Sequence, residues 1–433
     1  MPHAGLLTGL KSHPMRGALT LEMHARRLPP LRIPAQVLQI VTLLGPSQSG
    51  EAERHLAAIP GCEAPATGAR YQRCRIGKVE LVWERHTEFC TYTLLAEGKT
   101  EPIFSQDLFG SLDGAWLQAI PGEVVRASHV AFIREEVGSG AEPLDYGFAE
   151  DSLVCCDLGA GAARMYSDFK LHADGNGRLL IIDRGLTGIE PGQLLRRLLE
   201  LGNYRKMALL GLPVAQAGMS QLEKLETRLA DLTTAVANAE TDAGGLLAEL
   251  TGLSAEIARL SSETRFRMSA SIAYGQLVDE RLSSLRVEPV RGHLSLADFT
   301  ERRLHPALRT CTSFSSRLAD LAARAEWASA LMRTRVETAL TAQNRDLLES
   351  MDRRASIQLR LQETVERLSV VAISYYAVGL LGYAARPLME GSQTALKWFD
   401  AAAVLVAVAG TWAMLRFMRR RWISAANLRS DRR

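Results

Sequence analysis

Leu368–Ala385 reads LSVVAISYYAVGLLGYAA, eighteen residues without a charge. As a helix it covers about 27 Å, close to the thickness of a bilayer's hydrocarbon core. A second apolar run, AAAVLVAVAGTWAML, occupies Ala401–Leu415, and Trp398, Phe399, Phe417 and Met418 lengthen it. Trp398, Trp412 and Trp422 fall where aromatic rings line membrane–water interfaces. Two such runs joined by a short polar stretch read as a transmembrane hairpin: helix 1 over 368–385, an outer loop over 386–400 and helix 2 over 401–418.

The arginines orient this hairpin. Arg353, Arg354, Arg360 and Arg367 precede it, and Arg416, Arg419, Arg420 and Arg421 follow the second run. The loop carries Arg386 and Lys397 against Glu390 and Asp400. The positive-inside rule therefore places both termini in the cytoplasm and the loop outside. The tail over 419–433 is basic: from Arg416 onward there are seven Arg and one Asp. At the other end, Lys11, Arg16, Arg26 and Arg27 interrupt any signal-peptide pattern.

Upstream of the first span, Ala307–Val378 has neither Gly nor Pro over 72 residues, about 108 Å as a helix. A stalk over 293–367 is expected, with Pro306 in its first turn, where a missing N–H costs nothing. Leu340, Asn344, Leu347, Met351, Arg354, Gln358, Leu361, Val365 and Leu368 recur at alternating spacings of four and three. That is a heptad seam, the pattern of helices packed side by side. Asn344, Arg354 and Gln358 are its polar members. All three either set register and face water, or Asn344 and Gln358, with Met351, Val365, Gly382 and Tyr383, line a central passage in a ring of stalks.

Residues 191–292 read as a helical hairpin region, with helices over Gln193–Leu210, Gln216–Asn238 and Leu246–Leu285 and a break at Glu288-Pro289-Val290-Arg291-Gly292. Ser295 caps a short segment before the stalk. Residues 1–190 read as a cytoplasmic α/β domain. Strands are expected at Gln36–Leu44, Val79–Trp83, Thr87–Leu95, Val124–Ile133, Ser152–Asp157, Arg164–Leu171 and Arg178–Asp183. Helices are expected near Gln48–Ile59 and at Phe104–Leu108 or Leu112–Gln118, and Asp174-Gly175-Asn176-Gly177 signals a hairpin turn. The fold class is α+β: a mixed sheet domain, a helical hairpin with a very long stalk, and a C-terminal two-helix membrane hairpin.

The chain has 433 residues and a net charge of +3, so it lacks the basic signature of a nucleic-acid binder. Its six cysteines form no CxxC pair and no zinc spacing, and reduced, mostly buried thiols are expected. Glu84, His86 and Glu88 alternate; on one strand they would share a face and offer a weak metal site. Glu22 and His24 form a similar but weaker pair. Gly159-Ala160-Gly161 reads as a strand-to-strand turn. No GxGxxG, GxSxG or HExxH pattern occurs, so no catalytic group is assigned and the chain is not read as an enzyme. No cofactor is expected, a divalent cation being the one candidate ligand.

The segments HPMRGALTLEMHARRLPPL from His13, WERHTEFCTYTLL from Trp83, TRVETALTAQNRDLLESMDRRASIQLRLQETVERLSVVAISYYAVGLLGYAA from Thr334 and FMRRRWI from Phe417 resemble a bacterial family of uncharacterised membrane-anchored proteins. The resemblance covers nearly the whole chain and implies an inner-membrane location and no established activity. The layout also resembles that of CorA-type magnesium channels, which implies a homo-oligomer, a pentamer in that family, with the first spans around a pore. The Gly-Met-Asn motif of those channels is missing: Gly382-Tyr383-Ala384-Ala385-Arg386 stands in the corresponding place. A ring of Arg386 at an outer mouth repels divalent cations unless Glu390 and Asp400 lie nearer the axis. Two readings follow. The first is a CorA-like homo-oligomer that transports or senses an ion through a stalk-lined pore. The second is a non-conducting membrane-anchored scaffold or sensor whose cytoplasmic domain binds a ligand or partner. The expected partners are the lipid bilayer and further copies of the chain.

Overall fold

A computed structural model describes residues 11–17, 19–20, 29–45, 48–63, 65, 69–135, 146–237, 243–385, 398, 401–414 and 416–417. They fall into two compact units, Met1–Ala330 and Leu331–Arg433.

The first unit is built on a nine-stranded mixed sheet in the order β2-β3-β4-β1-β5-β8-β7-β6-β9. The strands are β1 (Ala35–Leu43), β2 (Tyr71–Ile76), β3 (Val79–Arg85), β4 (Phe89–Glu97), β5 (Glu123–Arg134), β6 (Val154–Leu158), β7 (Ala163–Ser167), β8 (Gly177–Asp183) and β9 (Glu288–Pro289). β5 and β8 pair in parallel, and the other ladders are antiparallel. Each of the seven expected strands is present. The two additional ones lie at the sheet's edges. β2, YQRCRI, turns Arg73 and Arg75 outward, and charges on an edge strand discourage pairing with other chains.

Period-two alternation gives the sheet two buried faces. One carries Val37, Val41, Phe89, Val130, Phe132 and Ile181 and packs against Leu195, Leu198, Leu199 and Met207 of α3 (Glu190–Leu209). The opposite face carries Leu81, Trp83, Tyr92 and Leu94 beneath Ala52 and Leu56 of α1 (Ser49–Ala57). The short helix α2 (Gly114–Gln118) adds Trp116 and Leu117 to this side. Cys155 and Cys156 point to opposite sides of β6, as adjacent strand residues must, and both are buried.

Cys62 and Cys74 are joined in a disulfide with their Cα atoms 5.4 Å apart, which corrects the expectation of six reduced thiols. The bond ties edge strand β2 to the turn after α1. The spacing of twelve residues belongs to no common motif, so the pairing became visible only once the hairpin β2–β3 was placed.

Helices α4 (Gly211–Ala237), α5 (Ala243–Ser284) and the start of α6 (Leu296–Ala385) follow. Ser295 and Asp298 open α6 with a capping box. The Ser295 hydroxyl accepts from the Asp298 N–H at 3.1 Å, and the Asp298 carboxylate accepts from the Ser295 N–H at 3.3 Å. Leu296 and Leu304 are buried in the sheet's main core. Cap and packing together carry the helix through Pro306, which lies inside α6 and not in its first turn as expected. Leu304, Cys311, Phe314, Leu318, Leu321 and Ala325 form the buried stripe of α6. The Phe314 ring seats where a Cβ on Gly218 of α4 would come within 2.7 Å. The Leu308 methyl similarly takes the place of a Cβ on Gly275 of α5. Small residues thus let these helices approach.

In the second unit α6 continues to Ala385, and α7 (Ala401–Met414) is a shorter apolar helix. By length and composition α6 can cross a membrane, and 6% of its apolar window is buried. Ser374, Ala403 and Ala407 are buried, and Val370, Val378, Val404 and Val408 border the same apolar groove. The two helices therefore meet along small residues, which permit close backbone approach.

Candidate functional site

The helix-facing side of the sheet carries a polar patch across β3, β4, β1 and β5. Strand register sets Val82, Thr93, Gln39 and Ser128 in one lateral row and Glu84, Thr91, Val41 and Arg126 in the next. Six polar side chains thus sit beside core residues on this face. Above them α3 presents Arg196, Glu200 and Asn203, three residues that share a helical face.

The patch is knit together by hydrogen bonds. Gln39 Nε2 donates to Thr93 Oγ1 at 3.0 Å. Arg126 Nη1 donates to Gln39 Oε1 at 2.7 Å and to Asn203 Oδ1 at 2.8 Å. Glu200 accepts from Arg196 at 2.7 Å and from Arg281 of α5 at 2.6 Å. Gln39, Thr93, Glu84, His86, Phe89, Arg196, Glu200, Asn203 and Tyr204 surround a narrow cleft with room for about one water molecule.

The three residues expected to share a strand face do not do so. Glu84 on β3 and His86 in the turn between β3 and β4 both line the cleft, whereas Glu88, in the same turn, does not. That turn is closed by the His86 N–H donating to the Phe89 carbonyl at 2.8 Å, and the His86 ring stacks on Phe89 at 4.1 Å. Glu88 is engaged by Arg267 of α5. Among the described residues no group of His, Cys, Asp and Glu is arranged to hold a metal. The expected strands already stop at Trp83 and resume at Thr87, and period two does not carry across that break.

Two arginines missed by the sequence reading stand out here. Arg126 reaches under α3 so closely that a Cβ on Gly202 would lie 2.7 Å from its guanidinium. Arg205, one turn of α3 away, is 9% exposed. Its guanidinium lies 4.2 Å from the centre of the Phe169 ring and 5.1 Å from that of Phe299 in the first turns of α6. Arginines separated by this much sequence carry no motif; only the fold brings them together.

Of the seam residues, Leu340, Leu347, Met351, Leu361, Val365 and Leu368 are 54–72% exposed, and Asn344, Arg354 and Gln358 are exposed with them. Gly382 is half-buried and Tyr383 is exposed. Arg386, Glu390 and Asp400 lie outside the described residues, as do Glu22 and His24.

A search of curated proteins finds no match to this chain. A family profile described as "Protein of unknown function (DUF3422)" matches residues 11–422, nearly the full length. Sheet unit, long helix and C-terminal apolar segments all fall within that match, and the chain belongs to the DUF3422 family.

Proposed function

We propose that this chain is a membrane-anchored homo-oligomer of the bacterial inner membrane, whose cytoplasmic sheet domain binds a ligand or partner and relays it through α6. In this reading the apolar end of α6 and α7 form the membrane hairpin, and the α6 seams of several copies pack around a common axis.

The exposed heptad seam carries the reading. Between Leu340 and Val365 the a, d, e and g positions are uncharged except Arg354, and the remaining acidic and basic residues sit at b, c and f. An uncharged face that wide suits a helix with identical neighbours on either side. Near the chain's apolar end, α7 meets α6 on the Ser374 side. Helical periodicity puts Leu368, Ala372 and Gly379 roughly 120–160° away from Ser374, so these seam positions continue on the uncovered side. Single cysteines test this in native membranes. Leu361→Cys should cross-link copies under mild oxidation, while Glu363→Cys on the outer face should not. Equal cross-linking at both positions, or at neither, would overturn the seam as the interface.

A second reading, ion passage along the axis, draws on Asn344 and Gln358 at seam positions and on the CorA-like layout. Flux from liposomes that is lost in Asn344→Leu or Gly382→Leu would favour it over the sensor. Tight liposomes with wild-type protein would count against it.

A further inference from the structure

Buried charges in proteins are normally paired, because removing an ion from water costs several kcal/mol. Arg126 and Arg205 break this pattern. Among the described residues neither guanidinium makes an ion pair. Arg126 has two neutral amide oxygens for partners, those of Gln39 and Asn203. Arg205 lies over the Phe169–Phe299 pair, and its Nη1 is buried with no hydrogen-bond partner among the described residues. The rings beneath it are stacked on each other at 4.5 Å, and Phe169 is held at φ +52°, a backbone region that a phenylalanine seldom adopts. Lys206, the next residue of α3, is exposed beside them.

Arg205 bears on both other cations, and Arg126 bears on Lys206. Burial holds Arg126 down to about 9, with Arg205 adding to the effect. Burial also holds Arg205 down to about 10. Lys206, exposed as a residue, is lowered first by the partial burial of its ammonium and then by Arg205 and Arg126. The Arg126 guanidinium lies against Gly202 of α3, and Arg205 and Lys206 follow three and four residues later on the same helix, so three positive charges share the junction of β5, α3 and the first turns of α6. A half-buried Arg126 and an exposed Lys206 leave the cluster open to solvent on one side.

We propose that Arg126, Arg205 and Lys206 form a binding site for a multivalent oxyanion of phosphate type. A divalent oxyanion offers several acceptor oxygens to two planar guanidinium forks and an ammonium, and it cancels most of the local charge. A chloride ion has one centre and a monocarboxylate one charge, so neither matches the cluster as well. Because Phe299 lies against the Arg205 guanidinium, occupancy bears directly on how α6 begins.

Thermal unfolding of the full-length protein in detergent tests the site, with orthophosphate, acetate and chloride compared at constant ionic strength. The expected result is a saturable rise in the melting temperature with orthophosphate, little with acetate and none beyond the chloride baseline. Arg205→Met should weaken the half-saturating phosphate concentration by about tenfold or more, the loss of charge-assisted hydrogen bonds. Without phosphate the same variant should melt no lower than wild type, since a buried uncompensated cation has been replaced by an apolar side chain. Lys206→Met, at an exposed position where folding is not at stake, should weaken phosphate by about two- to fivefold. No phosphate-specific rise in wild type, or a Lys206→Met response equal to wild type, would overturn the proposal. The readout concerns the first unit alone and stands whether or not the chain assembles.

Discussion

A glycine-to-alanine pair isolates how α6 is held. In a free helix this substitution stabilises by about 1 kcal/mol, because alanine loses less backbone entropy. Gly252 of α5 has no heavy atom within 4 Å of its would-be Cβ, so Gly252→Ala should yield that gain in full. Gly218 of α4 differs. Its Cβ would lie 2.7 and 2.8 Å from two carbons of the fully buried Phe314 ring, several tenths of an ångström inside contact. Phe314 cannot swing aside without moving α6, and overpacking of this kind costs about 1–3 kcal/mol. The clash meets or exceeds the helix gain, so Gly218→Ala should be neutral to destabilising by up to about 2 kcal/mol. Gly275→Ala should fall between the two, since its Cβ would meet a terminal methyl of Leu308 at 2.5 Å, the movable end of a flexible side chain. Denaturant titration followed by far-UV circular dichroism gives the order Gly252→Ala, Gly275→Ala, Gly218→Ala from most to least stable. If Gly218→Ala stabilised as much as Gly252→Ala, α4 would not pack on α6 through Phe314.

Further outcomes follow from other parts of the molecule. Burial holds His129, fully enclosed with its Nε2 against Gln36 Oε1 at 2.9 Å, down to about 4. The folded state therefore disfavours its protonation: stability is complete above the ordinary 6.5 and is lost as pH falls from 6.5 towards 4. The loss reaches about 3 kcal/mol, and His129→Gln should flatten that limb of a denaturation-versus-pH profile. The double substitution Leu347→Asp with Leu361→Asp places two charges per copy on the seam and should dissociate the assembly without changing the circular dichroism of the sheet unit; light scattering that reports an unchanged mass would contradict the interface. In the proposed cytoplasmic location cellular reductants should open the Cys62–Cys74 disulfide seen in the structure, so both thiols should react with an alkylating agent trapped at lysis. A pair that is fully oxidised in vivo would place this domain on the oxidising side of the membrane.

The long elements were legible because their signals repeat. The 3.6-residue apolar period marked α3, α4 and α5, and the charge-free runs marked the end of α6 and α7. Strands with β-branched and aromatic alternation were read at nearly their true bounds. The sequence was silent where tertiary structure decides. Edge strand β2 contains two arginines within YQRCRI, and β9 is two residues long, so neither carries a strand's apolar pattern. Pro306 looked like a helix start because the local rule for proline was applied without the buried Leu296 and Leu304 that hold the preceding turns in place. Glu84, His86 and Glu88 looked like one face because period two was carried across a turn. The polar patch and the Arg126–Arg205 cluster join β1, β3, β4, β5 and α3, and no spacing along the chain announces them.

The central claim is that copies assemble through the α6 seam in a membrane. The mass and symmetry of full-length protein extracted in mild detergent, read from electron micrographs of single particles, test it most directly. The account predicts a closed ring of several copies with long helices around its axis and a detergent belt at the hairpin end. A monomer without such a belt would contradict both the assembly and the anchor.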